Sequence, residues 1–298
     1  MSLNVEAPAA PVRGRRKRLA PGLTAAAPAV RTKPARKGPG VLSRGLTETG
    51  EMVLLLGAVI RTGVTQPRGY WGDVRDVMAD ILRKCWFPMI VSTLAFGLGA
   101  PGLQGGNLYS LFGIPERLGS FFIMASVREF APWINAMVVA GVIGTAITAD
   151  IGARRIREEI DAMEVLGVDP VRSLVLPRVI ALTVITGALD LVALSFGVVG
   201  GWIASVPLLG ATSGGFFANF FANATVTDLW GSVLKTAIFG LFIAVVCCYK
   251  GLNTKGGPAG VGRAVNQAVV IAFAAIWIFN YVFTTILLGL NPGMQVFK

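Results

Sequence analysis

The sequence contains no histidine, three cysteines and few charged residues, and each shortage disfavours a class of function. Without histidine the chain lacks the commonest general base and metal ligand. Cys247 and Cys248 are adjacent and Cys85 is distant, so they form neither a disulfide framework nor a zinc spacing. Charged residues make up 14 % of the chain, against about 25 % in soluble domains. We therefore predict no catalytic residues, no metal site and no cofactor bound to this chain.

Long apolar runs are what the sequence does contain, and runs of about 20 residues are typical of membrane-spanning helices. The runs are continuous rather than alternating, which disfavours a transmembrane β-barrel. We predict an all-α polytopic membrane protein with about five spans, and we expect Pro132 to kink or restart the second span. The expected spans are residues 87–112, 117–148, 178–206, 229–249 and 264–289, with a short aromatic helix at 216–224 between the third and the fourth.

Two helices are expected before the first span. Residues 45–66 are apolar but short, and residues 70–86 place apolar side chains on one face and charged side chains on the other. Tyr70, Trp71 and Trp86 are aromatic residues of the kind that anchor at membrane interfaces. We predict that residues 45–86 are amphipathic helices lying in the interface.

The N-terminal segment, residues 1–44, holds ten of the 27 basic residues but only one acid, Glu6. It is rich in proline, alanine and glycine and cannot form a core, so we expect a disordered basic tail. The run RGRRKR at 13–18 leaves nucleic-acid binding as an alternative. We expect instead a cytoplasmic tail beside anionic lipid, and no nucleic-acid partner.

The positions of the basic loop residues predict the orientation of the chain in the membrane. Besides the N-terminal tail, residues 150–178 and 250–263 hold most of the basic loop residues. The positive-inside rule places these segments and the N-terminus in the cytoplasm. Five spans then leave residues 291–298 as a short external tail.

The segment 150–170 carries three arginines and six carboxylates between two apolar spans. Residues 150–167 fit one helix of about four turns with an apolar stripe. The expected i,i+4 pairs on its other surface are Arg154–Glu158, Arg155–Glu159 and Arg157–Asp161. Gly167 is a suitable helix stop, Asp169 an N-cap and Pro170 a first helical residue. Such a helix suits docking to a soluble partner; a solvated helix without a partner is the alternative.

The stretch GVIGTAITADIGARRIREEIDAMEVLGVDPVRSLVLPR, Gly141–Arg178, resembles the signature of MlaE/YrbE permeases, the transmembrane subunits of ABC-type lipid transporters. Its form REEIDAMEVLGVDP is most similar to the YrbE subunits of actinobacterial Mce (mammalian cell entry) systems. The resemblance covers roughly residues 70–290 and leaves out the basic tail. It implies that residues 87–290 are a permease domain in the plasma (inner) membrane.

The resemblance also implies partners. A coupling helix would sit in a groove of a cytoplasmic ABC ATPase dimer, which would bind ATP and Mg. The residues expected to couple are Arg154, Arg155, Arg157, Glu158, Glu159, Asp161, Glu164, Gly167, Asp169 and Pro170. Because the chain has no Walker A motif, ATP hydrolysis is expected on a separate polypeptide. The other implied partners are a second permease subunit (itself or a paralogue), external Mce substrate-binding proteins and a lipid.

The segment GLQGG resembles the glycine-rich end of the first span, which lines the lipid path in the family. The residues carried over are Leu103, Gln104, Gly105 and Gly106. The sequence departs from the family at Gly106, where an aromatic residue often follows GLQG. Five further glycines predict close helix packing: Gly141, Gly144, Gly197, Gly200 and Gly201.

Four charged residues stand out in the interior of the predicted spans: Arg128, Glu129, Asp190 and Lys235. A charge at the centre of a membrane costs about 2.5–3.5 kcal/mol on insertion scales, so it needs a partner or a function. The stretch REFAP, which begins at Arg128, and Lys235 match charged positions of the family. We predict a polar network centred on a Glu129–Lys235 contact, which holds a closed state or meets a lipid head group. A purely structural ion pair is the alternative.

Two other functions fit the composition. A stand-alone secondary transporter or channel for an apolar substrate would need no ATPase and would work alone in liposomes. An integral-membrane lipid enzyme would need a convergent acid–base or metal set at one membrane face, which the sequence does not supply.

Overall fold

The computed structural model describes residues 41–294, and within them the chain forms eight helices and no strands. They are α1 (Val41–Thr65), α2 (Trp71–Leu111), α3 (Pro115–Ile156), α4 (Glu159–Val165), α5 (Val171–Leu208), α6 (Ser213–Asn223), α7 (Val226–Leu252) and α8 (Gly257–Leu290). Five of them, α2, α3, α5, α7 and α8, are long and apolar enough to cross a membrane. The predicted all-α polytopic fold is confirmed. The predictions for residues 1–40 and 295–298 lie outside the described residues.

Helix α2 contains both the predicted interfacial segment and the predicted first span, so the boundary expected at residue 86 is wrong. Its buried side chains continue across that point at every fourth residue, through Ile81, Cys85, Met89 and Thr93. One continuous buried stripe favours one continuous helix. Farther on, a wide π-type turn over Leu98–Gln104 keeps the glycine-rich segment helical.

Glycines bring α2 and α5 into close contact. A Cβ atom added to Gly97 would lie 2.5 Å from the carbonyl oxygen of Gly197, and one on Gly200 would lie 2.7 Å from that of Leu94. The predicted close packing is confirmed at Gly197 and Gly200 and also at Gly144 and Gly201, whose added Cβ atoms would meet Cys247 and Phe122. It is wrong at Gly141, which has nothing within 4 Å.

The described bundle has two ends that can be told apart by their contacts. At one, which we name the α4 end, Arg178 Nη2 donates to Asp150 Oδ2 at 2.6 Å and ties α5 to α3. Helix α1 reaches this end, where Lys250 Nζ donates to Glu48 Oε2 at 2.7 Å. At the other, the α6 end, Thr212 caps α6 and donates to a carboxylate oxygen of Glu116 at 2.6 Å.

Candidate functional site

The charged segment after α3 folds as a hairpin, and the single four-turn helix expected there is wrong. Helix α3 ends at Ile156, Glu158 adopts a left-handed conformation (φ 59°), and α4 starts at the next residue. The turn brings Ile160, which is 2 % exposed, back against the bundle. A straight continuation of α3 would leave this side chain in water, so burial of Ile160 favours the turn.

The turn also changes which charges meet, and the three expected i,i+4 pairs are wrong. Arg154 Nε donates instead to Asp150 Oδ1 at 3.1 Å. The other two arginines pair across the turn: Arg155 donates to Asp161, and Arg157 Nε donates to Glu159 Oε1 at 2.7 Å. The hydrogen bond to Glu159 raises the pKa of Arg157. Exposed pairs of this kind contribute little to stability, so they leave the surface free to rearrange on a partner.

The segment between α4 and α5 contains the helix end and the new helix start that the sequence predicts. Gly167 has φ +75°, and the N–H of Val168 donates to the carbonyl of Met163 at 2.9 Å, which closes the end of α4. Asp169 Oδ1 then accepts from the N–H of Val171 at 2.9 Å, with Pro170 between them. The glycine and the aspartate therefore fix where α4 ends and where α5 begins.

Exposed apolar residues lie at the end of α4, beyond the hairpin turn. Val165 is 87 % exposed and Leu166 is 79 % exposed, and they directly follow the exposed Glu164. Apolar residues rimmed by charge are typical of a protein interaction surface. We name residues 164–166, at the end of α4, the hairpin tip.

A second cluster of charge is buried between α3 and α7. Arg128 Nε donates to Asp228 Oδ1 at 2.6 Å, and Nη1 donates to the carbonyl of Met294 at 2.7 Å. Both side chains of the ion pair are less than one tenth exposed. The other oxygen of Asp228 accepts from the N–H and O–H of Thr225 and completes a capping box at the start of α7.

Sequence reasoning missed Asp228, which directly precedes the fourth span expected at residues 229–249. The available signal was the Thr225-x-x-Asp228 spacing immediately before an apolar run, a pattern typical of helix starts. The pattern predicts the cap, but the partner Arg128 is 100 residues away in sequence and only the fold brings it there.

Glu129 and Lys235, expected to contact each other, each bind a side chain of α8, and Lys235 also binds α3. Lys235 Nζ donates to the carbonyl of Arg128 and to Thr284 Oγ1 at 3.2 Å, and Glu129 Oε2 accepts from Asn280 Nδ2 at 2.7 Å. Among the described residues no Glu129–Lys235 ion pair lies within 4.0 Å. Asn280 and Thr284 are one turn apart on α8, and each binds one of the two charges.

Asp190 lies in the same region on α5 but contacts none of the other three predicted residues directly. It is completely buried, and its Oδ2 accepts from the hydroxyl of Ser232 on α7 at 2.7 Å. The four predicted charges are thus gathered between α3, α5, α7 and α8. Each of them contacts a different side chain that sequence reasoning did not select: Asp228, Ser232, Asn280 or Thr284.

The residues expected to line a substrate path lie at a packed contact near the α6 end. A Cβ added to Gly106 would be 2.2 Å from Leu209 Cδ1, and one on Gly105 would be 3.3 Å from the ring of Phe121. Leu103 is half-buried and Gln104 is exposed. Close packing therefore accounts for both glycines without a bound lipid.

A separate apolar groove of about 930 Å³ opens between α3, α5, α6 and α7. Its lining includes Ile123, Leu194, Trp202, Phe217, Phe221 and Leu229, and Asp228 lies at its edge. None of residues 103–106 lines it. The groove and the Arg128–Asp228 pair therefore adjoin, so an apolar volume ends beside a buried charge.

Together, the described helices form a multi-pass membrane bundle with a charged hairpin at one end, buried charge inside and an apolar groove at its side. A model of the family described as Permease MlaE matches residues 74–286, and the chain belongs to this family.

Curated relatives support the assignment. A probable ABC transporter permease protein of Rickettsia typhi is 31 % identical over 200 residues, which is 67 % of this chain and 77 % of that protein. One of Synechocystis sp. is 36 % identical over 180 residues, covering 60 % and 68 %. The chloroplastic protein TRIGALACTOSYLDIACYLGLYCEROL 1 of Arabidopsis thaliana is 30 % identical over 177 residues, covering 59 % and 51 %.

Proposed function

We propose that this chain is the permease subunit of an ATP-driven, ABC-type lipid transporter and that it couples to a separate cytoplasmic ATPase dimer, which binds ATP and Mg. The observation that carries the proposal is the hairpin with its exposed apolar tip at the end of two spans. Relatives named as ABC transporter permeases support the same function. The N-terminus and the hairpin would lie in the cytoplasm, with the chain in the plasma (inner) membrane.

The hairpin is placed to move the spans. It follows α3 and precedes α5 with only a few residues between, and the Asp150–Arg178 ion pair joins the bases of these two helices. Force on α4 would therefore act on α3 and α5 together. Both helices line the apolar groove, so the movement would change the groove's shape.

A lipid is the substrate that suits this groove. Its volume of about 930 Å³ lies near the top of the range of small-molecule sites, roughly 300–1,000 Å³, and its lining is almost entirely apolar. The Arabidopsis relative carries the name of a lipid, trigalactosyldiacylglycerol, which supports the substrate class. Leu103–Gly106 stay as proposed substrate-path residues, acting when the neighbouring packing opens.

Two further partners belong to the proposal. The outer face of α8 carries exposed Ile278 and Tyr281 and would meet a second permease subunit, itself or a paralogue. External Mce proteins would deliver or receive the lipid, and this part rests on the likeness of REEIDAMEVLGVDP to Mce-associated permeases. Arg128, Glu129, Asp190 and Lys235 would hold the bundle closed between transport steps.

The test is to replace both exposed apolar residues of the hairpin tip, as Val165→Asp with Leu166→Asp. Burying each of these side chains in a partner is worth about 1.5–3 kcal/mol, so losing both should weaken docking at least about tenfold. The full chain would be tagged, purified from its native membranes in mild detergent and assayed for co-purifying ATP hydrolysis. We expect that activity to fall in the double variant.

The matched control is Leu111→Asp. Leu111 is a similarly exposed apolar residue at the C-terminal end of α2, away from the hairpin. It should leave the co-purifying ATP hydrolysis unchanged. Equal activity in the wild type and the hairpin variant would contradict the docking role. Lipid uptake by the purified chain alone in liposomes, without any ATPase, would favour the stand-alone transporter instead.

A further inference from the structure

A fully buried carboxylate, Asp190, lies halfway along α5, and one of its oxygens accepts no hydrogen bond from any residue that the structure describes. Asp190 Oδ2 accepts from Ser232 Oγ, whereas Oδ1 has no hydrogen-bond partner among the described residues. The side chain is 0 % exposed. Because a carboxylate oxygen buried without a donor is costly, some donor must occupy this position.

Two neighbouring side chains share this deficiency. Thr186 lies one turn before Asp190 on the same face of α5, and its Oγ1 is buried without a partner. Asn135 on α3 donates from Nδ2 to the carbonyl of Thr186 at 2.8 Å, and its own Oδ1 is also buried without a partner. All three residues are 0 % exposed, so bulk water does not satisfy them.

The buried charges near Asp190 are two cations, Arg128 and Lys235, and one other carboxylate, Asp228, whereas Glu129 beside them is only half-buried. Arg128 is paired with Asp228, and no lysine or arginine nitrogen of the described residues lies within 4.0 Å of Asp190. An ionised Asp190 would therefore be a buried carboxylate without an ion-pair partner inside a membrane, where uncompensated charge is strongly disfavoured.

The other elements packed around α5 supply no further cation. Residues 86–108 of α2, which pack on α5 around Gly97, contain no ionisable side chain. On α7 Asp190 faces Ser232, and the nearby hydroxyl of Thr236 donates to the carbonyl of Ser232 at 2.8 Å. Lys235 donates to groups of α3 and α8. Among the described residues, no cation therefore pairs directly with Asp190.

We propose that Asp190 binds a proton on Oδ1 and that this proton neutralises the buried carboxylate. The protonated oxygen can then donate a hydrogen bond, and the unpartnered oxygens of Asn135 and Thr186 belong to the same buried polar layer. The proton comes from water and returns to water, and no other bond changes. The site goes beyond lipid transport itself, because it makes the packing of α5 against α7 depend on a bound proton.

Infrared spectroscopy of the purified full chain in detergent at pH 7 tests the proposal. The wild type should show the C=O stretch of a protonated carboxyl, and Asp190→Asn should remove it. Asp80→Asn is the matched control, because it neutralises an exposed aspartate that pairs with Lys84 and should leave the band unchanged. Identical spectra of the wild type and Asp190→Asn in this region would overturn the proposal.

A second variant covers the case in which Asp190→Asn does not fold. Thr186→Val keeps the carboxyl and removes one hydrogen-bonding oxygen, so the band should persist and move to higher frequency. An unmoved or absent band would overturn the proposal. Thermal unfolding of the wild type in NaCl and in choline chloride at equal ionic strength distinguishes the cation: stabilisation by Na⁺ that Asp190→Asn abolishes would assign the site to a metal ion instead. None of these measurements requires an ATPase or lipid transport.

Discussion

Helices α7 and α8 follow one another in the chain and are equally apolar, but their surroundings differ. In the most apolar window of each, 67 % of the residues of α7 are buried and only 17 % of those of α8. Helix α7 is surrounded by α3, α5 and α8, whereas α8 leaves Ile278 and Tyr281 exposed. Hydropathy therefore identifies both as spans but does not distinguish a helix facing protein from one facing lipid or another subunit.

The two helices also use different contacts for the surfaces they do bury. Helix α7 binds its neighbours through charged and hydroxyl groups, Asp228, Ser232 and Lys235, and through the bare backbone at Gly240. Helix α8 buries one narrow line of mostly small residues at every fourth position. These are Gly260, Ala264, Ala268, Ala272, Ile276 and Asn280. Changes on α7 should therefore harm the isolated chain far more than changes on the outer face of α8.

The largest effect is expected from Asp228→Ala on α7. This change leaves Arg128 charged and buried without its carboxylate, which typically costs about 3–5 kcal/mol. It should sharply lower the thermal unfolding temperature of the purified chain in detergent. The control Lys84→Ala breaks the exposed Asp80–Lys84 pair and should cost less than about 1 kcal/mol. Equal losses in the two variants would contradict the assignment of Arg128–Asp228 as a buried pair.

A smaller loss is expected from Gly240→Ala. Its new Cβ would lie 2.4 Å from the carbonyl oxygen of Leu182, so α5 and α7 would have to separate, at a cost of about 1–3 kcal/mol. Gly289→Ala on α8 is the matched control, because nothing lies within 4 Å of the added atom. It should be neutral or stabilise by up to about 1 kcal/mol. The same unfolding measurement decides, and a tolerated Gly240→Ala would mean that the helices are not in contact there.

The smallest effect is expected from Tyr281→Ala on the outer face of α8. The side chain is 74 % exposed, so the folded chain should change in stability by no more than about 0.5 kcal/mol. Phe239→Ala, on α7 and fully buried, serves as the contrast and should cost about 3–5 kcal/mol. Comparable losses, measured by unfolding of the monomeric chain in micelles, would show that the outer face of α8 is not free in the isolated chain.

Much of the fold could be predicted from the sequence because the signals for spans and helix ends are local. Five apolar runs predict five spans, and Gly167 predicts the end of α4, since glycine adopts the left-handed conformation readily. The hairpin break at Glu158 could not be predicted, because a glutamate is an ordinary helix residue with no preference for that conformation. The continuity of α2 likewise depends on which of its residues become buried, and local pattern does not show this.

The candidate site divides in the same way. The sequence by itself determined that charge enters the membrane at Arg128, Glu129, Asp190 and Lys235, and that a charged segment lies between the second and third spans. Only the tertiary structure decided that Arg128 pairs with Asp228, that Glu129 and Lys235 are each bound by α8, and that Asp190 keeps an oxygen without a donor. Residue type shows that a buried charge needs a partner. The partner itself is chosen by helix packing, which joins residues about a hundred positions apart.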